Sequence, residues 1–132
     1  MARPKSDSNK QLTDVELQIM NILWRLSEAS VHQVLDELTK VASKDYAYTT
    51  VSTLLRVLEK KQVVGSKKQG RGHLYFPVVE RSRYQSVATD HLVKNVFSGQ
   101  KQALVLNLLG RGEISAQELK EIKQFIESQE QK

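Results

Sequence analysis

The chain has 132 residues, 39% of them hydrophobic and 27% charged, with a net charge of +5 and no cysteine. That length buries a real core but no more than one or two small folding units, and the missing thiols exclude disulfides, thiolate metal sites and cysteine nucleophiles. No apolar run approaches the roughly 18 residues of a membrane span. The polar start MARPKSDSNKQ lacks the apolar stretch of a signal peptide, so a cytoplasmic protein without membrane insertion is expected.

Residues 1–11 are polar and charged and read as a disordered tail. Thr13 followed by Glu16 makes a capping box, which opens a helix to about Arg25. Its inward side is Val15, Ile19, Ile22 and Leu23 or Leu26, and Trp24 is expected to close the core. Ser30 and Gln33 form a second box and a helix to about Thr39, burying Val31, Val34, Leu35 and Leu38. After a polar connection, a third helix runs from near Tyr48 to near Lys60, with Val51, Leu54, Leu55 and Leu58 at helical spacing. The period then changes to two. QVVGSK and HLYFPV read as strands, with KKQGRG as their turn and Pro77 at a strand end. Tyr46 and Tyr75 are read as packing residues.

Charge is distributed unevenly along this order. Residues 1–39 hold four Lys/Arg against six Asp/Glu, residues 40–73 eight against two, and residues 74–132 eight against seven. The surplus is confined to a short segment that includes the third helix and the hairpin, which points to a polyanionic partner. On that helix the side opposite the apolar stripe carries Thr49, Thr53, Arg56 and Lys60, with no acid among them. Three helices followed by a ribbon make a winged helix-turn-helix, whose third helix enters the major groove of double-stranded DNA. Thr49, Thr53 and Arg56 suit base edges, whereas Lys44, Tyr48, Thr50 and Lys60 suit the backbone. Lys67, Lys68, Arg71 and His73 would make a basic wing on phosphates or in the minor groove.

From residue 80 the pattern is helical again. Tyr84, Val87, Ala88, His91, Leu92 and Val96 trace one stripe. Ala103 to Leu109 is apolar on nearly every side except Asn107, a short helix expected to end on Gly110 as its C-cap. Ser115 and Glu118 make a third capping box before Leu119, Ile122, Phe125 and Ile126. Such a tail cannot cover its own apolar surface. A second copy of the chain is the simplest cover, so Tyr84, Val87, His91, Leu92, Val96, Leu104, Leu106, Leu108, Leu109, Leu119, Ile122, Phe125 and Ile126 are expected in a homodimer interface. The chain thus divides into a tail (1–11), a winged-helix DNA-binding domain (12–79) and a helical dimerisation domain (80–132), a mainly α fold.

Catalysis finds no support in the residue pattern. His32, His73 and His91 lie in separate elements without metal-ligand spacing, and no Gly-rich loop joins a strand to a helix. No catalytic residue, metal or cofactor is expected. The competing readings are a winged helix that docks on proteins and a DNA-associated protein without sequence preference.

LTDVELQIMNILW, VHQVLDEL, YTTVSTLLRVLEKKQVV and GRGHLYFPVV resemble the penicillinase-repressor family of BlaI, MecI and CopY, closely over residues 11–85 and more loosely beyond. The resemblance implies a dimeric transcriptional repressor on inverted-repeat operators, with Thr49, Thr50, Thr53 and Arg56 in its recognition helix and Arg71 in its wing. It also implies release through a membrane-linked zinc metalloprotease pathway that leads to a cut in the dimerisation region, after an Asn that precedes Phe. The equivalent bond here is Asn107–Leu108, with Leu in place of Phe. The Cys-x-Cys pairs of the copper-responsive members are missing, which excludes copper sensing by that chemistry.

Overall fold

The computed structural model describes residues 12–131, so the expected tail at 1–11 lies outside the described residues. It forms two compact units, Met1–Ala88 and Thr89–Lys132.

In the first unit, helix α1 (Asp14–Leu26) starts as its capping box requires: the Thr13 side chain accepts from the Glu16 N–H at 3.2 Å, and the Glu16 carboxylate accepts from the Thr13 N–H at 2.8 Å. The helix stops at Ser27, whose φ of 76° leaves the helical region. Helix α2 (Val31–Ala42) has the second box at Ser30 and Gln33 and closes on Ser43 in the left-handed conformation. It runs past the expected Thr39 because neither Val41 nor Ala42 breaks a helix before that reversal. Helix α3 (Tyr48–Lys60) has no side-chain cap on Ala47. Ile19, Met20, Leu23, Val34, Leu38, Val51, Leu55 and Leu58 bury completely and join the three helices into one core.

The ribbon departs from expectation in two ways. Strands β2 (Val64–Gln69) and β3 (Gly72–Pro77) reach further into KKQGRG than expected, leaving a two-residue turn at Gly70 and Arg71. Gly70 has φ +60°, the conformation a tight hairpin needs at its first central position and one that glycine adopts without strain. Pro77 does end its strand. A further strand, β1 (Ala29–Ser30), pairs with β3 and gives an antiparallel sheet in the order β1-β3-β2. Two residues carry no periodicity of their own; they become a strand only because Tyr75 and Leu74 lie beside them.

Helix α4 (Arg81–Asn95) begins in this unit. The Trp24 indole N–H donates to the Val79 carbonyl at 2.9 Å, the Tyr84 ring lies 5.8 Å from the indole, and the Arg81 guanidinium sits 5.7 Å over it. Tyr84, assigned by the sequence to the dimer stripe, therefore packs on the core of the first unit. The first compact unit accordingly includes the start of α4, as far as Ala88.

The second unit holds the rest of α4 together with α5 (Lys101–Gly110) and α6 (Ala116–Glu130). Gly110 is not the expected cap: it is the last helical residue, Arg111 follows in a right-handed conformation, and the left-handed turn falls on Gly112 at φ +74°. The third capping box at Ser115 is formed. Val93 is the one buried residue of α4, while α5 and α6 bury none. Leu92, Val96, Val105, Leu106, Leu108, Leu119, Phe125 and Ile126 stand exposed, and Val87, Leu104, Leu109 and Ile122 are half-buried. No helix among the described residues is long and apolar enough to cross a membrane.

Candidate nucleic-acid interface

Burial of Val51, Leu55 and Leu58 fixes the rotation of α3, so the opposite side must face outward. Tyr48, Thr49, Thr50, Thr53, Arg56 and Lys60 are all exposed there, and Lys44 is exposed just before the helix. The Arg56 guanidinium donates to the Ser52 hydroxyl at 3.2 Å and to the Thr53 hydroxyl at 3.4 Å. Tyr48 lies against His32 of α2, ring centres 4.7 Å apart. Lys44 sits 5.2 Å over the ring of Tyr46, which packs on the core.

Glu59 is the sole acid in α3. Its carboxylate accepts a 2.7 Å hydrogen bond from the Ser66 hydroxyl of β2, which ties it to the sheet. Tyr75 is buried in the core: burial chiefly pushes its hydroxyl above the ordinary tyrosine value, Glu59 pushes it further up, and Arg56 pulls it down.

Strand alternation sorts the wing residues. Ser66, Tyr75 and Ala29 form one row, and the burial of the last two marks the core side of the sheet. Lys68 and His73 pair two positions further out, so they share that side beyond the core. Lys67 pairs with Leu74 on the other side. There its ammonium meets the Glu28 carboxylate at 3.0 Å. Arg71 is exposed at the turn itself. The first unit therefore brings together two sets: hydroxyls and cations along α3, and Lys68, Arg71 and His73 on the hairpin. Lys67 stands on the opposite side of the same hairpin, paired with Glu28. Sequence reading missed Ser66 and Glu28, because each acts through a neighbour that only the fold supplies, and it missed Ser52, whose partner Arg56 lies one turn on along the same helix.

The arrangement offers hydrogen-bond donors and positive charge. Among the described residues no three His, Asp or Glu cluster as a metal would require. His91 and the apolar residues expected at the dimer interface lie in the second unit, apart from Tyr84 and Val87 in the first.

The family model described as penicillinase repressor matches residues 12–128. This chain belongs to the penicillinase repressor family. Its relatives include the penicillinase repressor of Bacillus licheniformis, 30% identical over 89% of this chain and 90% of that protein. The transcriptional regulator BlaI of Mycobacterium tuberculosis is 36% identical over 76% of this chain and 73% of that one. Among solved structures, the DNA-binding domain of the repressor BlaI is 32% identical, covering 56% of this chain and 88% of that one with a TM-score of 0.49. The family resemblance read from the recognition-helix and wing sequences is thereby confirmed, and the fold is mainly helical with a winged helix-turn-helix.

Proposed function

We propose that this chain is a sequence-specific DNA-binding transcriptional repressor that acts in the cytoplasm as a homodimer on inverted-repeat operators. The observation that carries it is the exposed side of α3, where Thr49, Thr53, Arg56 and Lys60 stand without a competing acid because Glu59 is tied to Ser66. Membership of a family of repressors supports the same reading. A side chain such as Arg56 can fork onto guanine O6 and N7, and threonine can donate to a base or pack its methyl on thymine. Lys68, Arg71 and His73 would hold the register from the phosphates.

The dimer rests on the uncovered apolar surface of the second unit, and a closed twofold pair buries it most economically. Release by proteolysis fits the family resemblance: a cut at Asn107–Leu108, through a membrane-linked metalloprotease sensor, would divide the interface. That bond lies inside α5, so the helix has to open before a protease can take it.

Selection of purified protein against a random duplex library tests the reading. Enrichment of an inverted repeat is the expected result. Retention without enrichment would leave a non-specific binder, and no retention would move the function to a protein partner. On the selected duplex, Arg56→Ala should weaken binding by about 1–3 kcal/mol while leaving random DNA nearly unaffected. Equal losses on both would reassign Arg56 to phosphate. Lys68→Ala should weaken all duplexes alike and lower the salt slope by about one unit. Lys67→Ala should do less, because Glu28 already neutralises that cation.

A further inference from the structure

Arg56 and Glu59 lie three residues apart on one helix, a spacing at which opposite charges meet. A carboxylate that captured the guanidinium would occupy the fork needed for a base or a phosphate. In this structure the two have different hydrogen-bond partners. Arg56 donates back along the helix to Ser52 and Thr53, while Glu59 accepts from Ser66 on the neighbouring strand. Both still influence Tyr75, so they remain within electrostatic reach of one ring.

We propose that Ser66 is a positioning residue for DNA recognition: its hydroxyl holds the Glu59 carboxylate against β2 and so keeps Arg56 free to read DNA. Ser66 touches no nucleic acid in this role. The inference rests on the DNA-binding reading above and adds a device that sets how often the recognition helix is competent. With the hydroxyl removed, Glu59 is released toward Arg56 and the competent fraction falls. If the pair forms for most of the time, apparent affinity drops by about three- to tenfold, in proportion to that fraction.

The experiment compares full-length wild type, Ser66→Ala and Ser66→Ala/Glu59→Gln on the selected duplex and on a scrambled duplex of equal length, with thermal melts of all three. The expected result is a loss of about three- to tenfold for Ser66→Ala on the selected duplex only. The double variant should recover to within about twofold of wild type, since a neutral amide no longer competes for the guanidinium. A merely structural role for Ser66 predicts a loss that follows the melting temperature and persists in the double variant; that result overturns the proposal. So does a Ser66→Ala protein that binds like wild type. Failure of the underlying reading shows itself separately, as a wild type that does not distinguish the two duplexes.

Discussion

Replacing Phe125 with lysine is expected to convert the proposed dimer into a folded monomer and to cost roughly 10²–10⁴ in affinity for an inverted repeat, the gain that linking two binding modules supplies. Phe125 is 64% exposed in the single chain, so the substitution removes little packing from its own subunit. In a dimer that buries α6, the same position would place an unpaired ammonium in apolar surroundings, which is strongly unfavourable. The two states therefore respond in opposite ways, which makes the test sharp. Sedimentation equilibrium would report the monomer, and a duplex with one half-site should be bound as well by the variant as by wild type. A Phe125→Lys protein that still sediments as a dimer would remove α6 from the interface.

Lys61→Ala should cost about 3 kcal/mol of folding stability, the lower end of what breaking a buried ion pair costs. Glu16 is only 3% exposed, yet it is charged, with the Lys61 ammonium at 2.9 and 3.0 Å from its two oxygens. The lower end applies because Lys61 itself keeps some contact with water. Removing the cation strands a carboxylate against the core. Replacing both partners, as Glu16→Gln with Lys61→Met, should come out nearly neutral, because neither half is then left unpaired.

The same pair gives the pH dependence its sign. Burial is the largest single influence on Glu16 and acts to raise it. The hydrogen bond from Lys61, the N–H of Thr13 and the Lys61 charge together outweigh burial and hold the carboxyl below its ordinary value. A carboxyl depressed on folding stabilises the native state above its unfolded pKa, and that contribution fades as pH falls through the folded value. Urea melts stepped from about pH 7 to about pH 3 should therefore show wild type losing stability in the acid range more steeply than the Glu16→Gln/Lys61→Met double variant. Parallel curves would show that Glu16 is not the responsible group.

Helices α1, α2 and α6 were legible because their starts are written locally. Thr13 with Glu16, Ser30 with Gln33, and Ser115 with Glu118 each satisfy amides within one turn, and all three boxes form. The rotation of α3 was legible for a related reason: three buried positions at helical spacing determine which side remains for solvent. What stayed hidden depends on distant partners. Ala29 and Ser30 are a strand only beside β3. Glu16 looks like a surface acid until Lys61, at the end of α3, meets it. Lys67 and Lys68 are indistinguishable as letters, yet strand alternation places them on opposite sides of the sheet. Glycines misled where two stand close together, and the reversal after α5 settled on Gly112 rather than Gly110.

Trp24 is the sole tryptophan of the chain, and its indole hydrogen-bonds Val79 with Tyr84 and Arg81 alongside. The molecule thus carries an optical gauge at the point where the sheet gives way to α4. Any event that peels the start of α4 from the core exposes that indole to water and shifts its emission to the red. No label has to be attached to follow it.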